Sequence, residues 1–254
     1  MTNGFRVVKT VVRVFGAIAI VAVALTVAPK TQGQKYPPPF PRLGARELKP
    51  QPGQNPRGDI DIWEVLHQKG KPSPMYELPM DLVSVTLTEG AVKYTRPDKT
   101  TRIEYNRFGE VRFESKGTIM QDEGLDELAS RSIVFQIKNG QHVKYAPEVE
   151  GVPGQWPRID SRKLFETETF NVWEELWLPD RPITKHLHYN QAAYVMLNGG
   201  VLRGVTEGSP LRAPPNKAES HWRTGYVLTM GPVKVPHEEE WVSGNPRAVW
   251  VELK

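Results

Sequence analysis

"DIWEVLHQKGKPSPMYELPMDLVSVTLTEGAVK" (61–93) aligns without a gap to "NVWEELWLPDRPITKHLHYNQAAYVMLNGGVLR" (171–203) at a constant offset of 110 residues. Trp63/Trp173, Glu64/Glu174, Leu66/Leu176, Pro72/Pro182, Val85/Val195, Leu87/Leu197 and Gly90/Gly200 coincide. Ahead of the copies stand matching starts, "ARELK" (45–49) and "SRKLF" (161–165). Behind them come "FGEVRF" (108–113) and "MGPVKV" (230–235), then the closing runs "SIVFQIK" (132–138) and "AVWVELK" (248–254). A period this long does not suit a solenoid and suits a duplicated domain, so the chain reads as two tandem domains, 45–142 and 155–254.

The repeated unit reads as β. "VSVTL" and "AYVML" alternate or run apolar over five residues and then meet a glycine, the pattern of a strand followed by a turn. Twenty-three prolines and twenty-one glycines punctuate apolar runs mostly four to eight residues long, which predicts many short strands and few helices. "GLDELASR" (124–131), just ahead of the first closing run, suits a helical turn, and it suits a loop equally.

Outside the repeat lie two further segments. The first 28 residues carry Arg6, Lys9 and Arg13 ahead of an uncharged run from Val14 to Ala28. That run is short for a spanning helix and near the upper limit for a signal-peptide core, so residues 1–33 are expected to be a cleaved signal for export, periplasmic or secreted, or else an uncleaved N-terminal membrane anchor. Residues 34–60, with "YPPPFPRLG" and "KPQPGQNPRGD", read as a proline-rich extended linker or surface arm. The formal net charge is +4, of which the leader supplies three, so the remainder is near neutral and predicts no nucleic-acid partner. With no cysteine there is neither a disulfide framework nor a lipid attachment site of that kind.

Four of the six histidines fall between 186 and 237. In "KHLHYNQAAYVMLNGG" (185–200), His186 and His188 are separated by one residue, so on a strand both side chains face the same way and Leu187 faces the other. Imidazole nitrogens suit Fe, Mn, Ni, Cu or Zn, while a hydrogen-bonded structural role is the competing reading of such a pair. His67 and His142 read as surface or turn residues, and His221 as a loop residue beside a Trp. Trp63 and Trp173 read as core. No glycine-rich phosphate loop, cysteine nucleophile or G-x-S-x-G elbow is present.

The order strand, His-x-His, strand, glycine, strand, glycine-x-valine, then a later histidine before the last strand resembles the cupin superfamily. The two ends "GTIMQDEGLDELASRSIVFQIK" and "PHEEEWVSGNPRAVWVELK" are similar to those of exported bacterial cupin-like proteins. The resemblance spans residues 40–254 as two copies and implies a bicupin: an all-β protein of two tandem antiparallel barrels of the jelly-roll type, each with a cavity at its mouth. It further implies a divalent transition metal held by His186, His188 and His237, with Gln191 or Glu239 as accessory groups and a small-molecule ligand in the C-terminal barrel. The family's glutamate falls on Ala193, so that carboxylate is missing. In the first copy Tyr76, Leu78 and Val83 replace the pair and the glutamate, and the third ligand maps to about Ile119; the N-terminal barrel is therefore expected to be structural. The implied function is binding of a metal or small molecule, or, alternatively, metalloenzyme chemistry of the dioxygenase or isomerase type; a purely structural protein is the third reading.

Overall fold

The structure is a computed structural model, and it describes residues 36–49, 58–138, 149–206, 219–231 and 233–254. The leader, the linker residues 34–35 and 50–57, and His142 lie outside the described residues. All regular elements among the described residues are β-strands. The first half contains β1 (Ala45–Glu47), β2 (Ile60–His67), β3 (Tyr76–Glu77), β4 (Asp81–Thr88), β5 (Gly90–Thr95), β6 (Thr101–Asn106), β7 (Val111–Glu114), β8 (Ile119–Gly124) and β9 (Ser130–Ile137). The second contains β10 (Ser161–Glu166), β11 (Phe170–Leu176), β12 (Ile183–His188), β13 (Ala192–Thr206), β14 (Glu219–Trp222), β15 (Val227–Met230) and β16 (Val233–Leu253).

The duplication read from the sequence is present in the strand pairing. In the first half one sheet runs β1-β2-β9-β4-β7 and a second runs β3-β8-β5-β6. In the second half the order is β10-β11-β16-β13-β14, with β12 on β16 and β15 on β13. The long β13 thus does the work of β4 and β5 together, and β16 that of β8 and β9. The register agrees: Val83 faces Phe135 across β4 and β9, and Ala193 faces Val251 across β13 and β16. One part of the sequence alignment is corrected. Val111 pairs with Val85 and Val227 pairs with Val195, so the counterpart of "FGEVRF" is "TGYVLT" (224–229) and not "MGPVKV". Both second-half segments carry glycine-x-valine, and only the strand partner tells them apart.

Strand alternation gives each half two apolar faces. One face of each larger sheet packs against the other half: Val83, Val85 and Phe135 of the first meet Ala193, Val195 and Val251 of the second, all with no exposed surface. The opposite faces line the two barrel interiors, around Tyr76, Leu78 and Val134 in the first half and around Tyr194, Met196 and Trp250 in the second. Each fully buried side chain of this kind contributes about 1.5–3 kcal/mol, so the shared layer between the halves is a main source of stability.

The contact between halves is self-complementary. Gly109 and Gly225 occupy matching turns, with φ of 77° and 78°, and their N–H groups donate to Thr86 O and Met196 O, each at 2.8 Å. A Cβ at Gly109 would lie 3.2 Å from Leu197 Cδ1, and one at Gly225 would lie 3.2 Å from Leu87 Cδ1. Leu87 and Leu197 are themselves repeat partners, so each half reaches the same place on the other, the isologous arrangement of a twofold dimer built into one chain. Alanine at either glycine is expected to cost about 1–2 kcal/mol, from the left-handed backbone alone. Urea unfolding should give similar losses for Gly109→Ala and Gly225→Ala, and a loss at one only would contradict the equivalence.

Part of the stretch read as linker or surface arm lies inside the first half. Phe40 is buried and stacks on Trp63 with ring centroids 4.7 Å apart, and the Arg42 side chain is only 8% exposed. The second half repeats this with Trp156, stacked on Trp173 at 5.9 Å, and Arg158. "FPR" (40–42) and "WPR" (156–158) are thus one repeated motif, in which an aromatic ring covers the strand tryptophan and an arginine enters the barrel.

Candidate metal centre

β12 runs along the edge of β16, and its alternation turns His186 and His188 to the barrel interior, each 2% exposed. His237 on β16 sits directly opposite His186. Leu187 faces the other way, as strand geometry requires, yet it is fully buried, because residues 153–155 lie over it: its N–H donates to Pro153 O at 3.1 Å and its carbonyl accepts from Gln155 at 3.0 Å. The three rings converge, with centroids 4.3 Å apart for His186 and His237 and 5.0 Å for His188 and His237.

The nitrogens suit an ion. His186 Nδ1 lies 2.9 Å from Thr184 O and donates to it, which puts the proton on Nδ1 and leaves Nε2 with a free lone pair. That Nε2 is buried and has no hydrogen-bond partner among the described residues. His188 Nε2 and His237 Nε2 face each other at 3.2 Å. Two nitrogens bound at about 2.1 Å to one ion lie about 3 Å apart, so the spacing of this pair suits two ligands of one ion as well as a hydrogen bond between the rings. One ligand atom from each of the three residues lies within 4.8 Å of the others. Burial pushes His186 down to about 4 and His188 well below the ordinary histidine value, so both are neutral near pH 7, the form that binds metal.

Of the accessory groups, Glu239 lies on the cavity wall beside His237 but outside the three-histidine group, and Gln191 turns away from it. Two residues beyond His237, Glu239 accepts a hydrogen bond from Trp177 Nε1 at 2.8 Å, and its charge opposes the fall in the His186 pKa. Gln191 turns to the first half, where its Oε1 accepts from Asp59 N–H at 3.4 Å and its amide packs over Gly58. Ala193 faces the layer between the halves, and Ala192 is the residue of that pair that faces the barrel. Neither carries a carboxylate.

In the first half Tyr76 faces Met120 across β3 and β8, as His186 faces His237, so Met120 and not Ile119 holds the third position. Tyr76, Leu78 and Met120 are all buried and offer no set of ligands. His221 lies exposed on β14, away from the cluster. His67 is not a surface residue: its side chain is 9% exposed and points to Asp122.

Sequence reasoning missed Trp156, Arg158 and Glu175. Trp156 meets His188 edge-on at 6.2 Å. Arg158 forms an ion pair with the fully buried Glu175, which also accepts from Gln155 Nε2 at 3.1 Å. Burial lowers Arg158 to about 10, so it keeps its charge at neutral pH beside the histidines. The signal that would have found them is the repeated aromatic-Pro-Arg motif. From His237 and Glu239 a cavity of about 280 Å³ opens to the barrel mouth, walled by Trp177, Tyr194, Trp222 and Trp250.

No protein-family model matches the chain, and no curated protein sequence matches it. Solved structures do. A point mutant of the salicylate 1,2-dioxygenase from Pseudoaminobacter salicylatoxidans aligns with a TM-score of 0.55 at 9% identity, over 82% of this chain and 76% of that one. The protein Ylba of E. coli gives 0.54 at 12% identity, over 87% and 88%. A point mutant of the oxalate decarboxylase from Bacillus subtilis gives 0.52 at 12% identity, over 83% and 72%. At these identities the likeness shows the fold alone. The fold is all-β, with two cupin-like halves in tandem, and its second half carries a buried three-histidine group.

Proposed function

We propose that this protein is a bicupin whose second half binds a divalent transition metal through His186, His188 and His237 and takes a small apolar molecule in the adjoining cavity. The observation that carries this reading is the convergence of three buried imidazoles, with His186 Nε2 free of any partner among the described residues and His186 Nδ1 fixed on Thr184 O. A neutral three-histidine shell leaves an ion its full positive charge, which would lower the pKa of a bound water and polarise a bound oxygen. Glu239 puts a carboxyl group on the cavity wall. The aromatic walls suit a flat apolar ligand, and about 280 Å³ exceeds the roughly 150 Å³ that suffices for benzene. Export, by way of the leader 1–33, belongs to the same reading.

A catalytic role, activating dioxygen or polarising a carbonyl, is the second reading. Its support is Glu239, a carboxylate in the cavity that could take up or return a proton.

Cobalt(II) with phenol as the probe tests metal and cavity together. Cobalt-loaded wild type is expected to show visible bands distinct from those of the aquated ion, and phenol should shift them, at least fivefold less effectively in Trp222→Ala. A spectrum that remains that of aquated cobalt would contradict the reading.

A further inference from the structure

The first half has lost the metal histidines, but its barrel interior has not become an ordinary apolar core. Arg42, His67, Asn106, Arg112 and Asp122 all line a cavity of about 50 Å³ beneath Tyr76 and Tyr94. Buried ion pairs are seldom retained for stability, since apolar replacements of similar size are often neutral or better. The charges here are matched internally. Arg42 pairs with Asp122 at 2.8 Å, and Asp122 also accepts from Tyr76 Oη at 2.7 Å. Arg112 pairs with Glu110 at 2.9 Å and with Glu104, and Glu114 pairs with Arg102 at 2.7 Å.

Arg42 Nη1 and Arg112 Nη1 make no well-formed hydrogen bond among the described residues, although each lies in one of these ion pairs, and two polar atoms outside the pairs remain. Asn106 Oδ1 and His67 Nδ1 are buried and have no hydrogen-bond partner among the described residues. Asn106 Oδ1 can only accept. His67 Nε2 lies 3.9 Å from Asp122 Oδ1, beyond hydrogen-bond reach but on the side where the carboxylate's charge favours a proton, and a proton on Nε2 leaves Nδ1 as an acceptor. An anion entering the cavity would find two acceptors and no unmatched cation, and a cation would meet two arginines. The space holds about four water-sized positions, at 10–15 Å³ each.

We infer that the first-half barrel is a binding site for a neutral molecule of about four heavy atoms that donates hydrogen bonds to Asn106 and His67, a small diol or primary amide. The inference does not rest on metal binding in the second half.

The probes are acetamide and ethylene glycol, with acetate as the anionic control, observed by saturation-transfer NMR on the full chain. Acetamide or ethylene glycol should give a transfer signal with the wild type and acetate none. Asn106→Leu and His67→Phe should each reduce the signal at least fivefold. Acetate binding as well as acetamide, no signal from either neutral probe, or a signal that survives both first-half variants would overturn the inference. The comparison of acetamide with acetate uses only the wild type, and so it stands whether or not the variants fold.

Discussion

Arg42→Met is expected to destabilise the protein by about 3–5 kcal/mol, because it leaves Asp122 charged in the first-half barrel without its cation. The pair is 8% and 7% exposed, and Asp122 keeps only Tyr76 as a close hydrogen-bond donor to its carboxylate once Arg42 is gone. In the intact protein burial works against the Asp122 charge, but Arg42, His67 and the Tyr76 hydrogen bond hold its carboxyl below the usual range. The loss should therefore be larger at pH 7 than at pH 4, where a lone Asp122 can escape its cost by taking a proton. Adding Asp122→Asn to Arg42→Met should restore more than half of the lost stability. Urea unfolding of the single and double variants measures both effects. A single-variant loss below about 1 kcal/mol would mean that the "FPR" arm does not insert as described.

Metal-free protein is expected to lose stability steadily from pH 6.5 towards pH 4. His186 titrates at about 4 in the fold, and burial holds His188 and His67 low as well. In the unfolded chain all three return to about 6.5. Below that value the unfolded state binds more protons than the native state, so the free energy of unfolding falls as pH falls. A depression from 6.5 to about 4 is worth roughly 3 kcal/mol for His186 alone, at about 1.4 kcal/mol per unit. Carboxylates held low, such as Asp122 and Glu64, come into play only below their unfolded values near 4, so the histidine window stands apart. Urea unfolding in EDTA at pH 7, 6 and 5 should show the decline, and His186→Phe should make it shallower, leaving the share of His188 and His67. Stability that is level across that range would argue against buried neutral histidines.

Much of this architecture was legible because the repeat is a physical signal. A constant offset of 110 through Trp63/Trp173 and Val85/Val195 puts the same alternation on the same strands, and the pairing of β4 with β9 and of β13 with β16 follows from it. His186 and His188 were legible because i and i+2 on a strand share a face, and His237 through the resemblance, which implies a later histidine before the last strand. What the sequence did not reveal depended on partners far away in the chain. Gln191 reads as a ligand next to the histidine pair, but its amide is taken by Asp59 of the other half. Ala193 and Ala192 differ by one position and therefore by one face. His67 reads as a turn residue until Asp122, far along the chain, is brought beside it. Arg42 sits among prolines in the stretch that reads as linker, and only the stacking of Phe40 on Trp63, repeated by Trp156 on Trp173, shows that this arm is part of the barrel.

The most direct test of the central claim is metal stoichiometry by plasma mass spectrometry, on the wild type and on His186→Ala, His188→Ala and His237→Ala, each loaded with excess metal and desalted. The wild type is expected to retain about one divalent transition-metal ion per chain, since the first half offers Tyr76, Leu78 and Met120 where the second offers three histidines. Each alanine variant should retain less than a tenth of that while keeping the wild-type circular dichroism. Equal metal in the wild type and in all three variants, or none in any, would contradict the account.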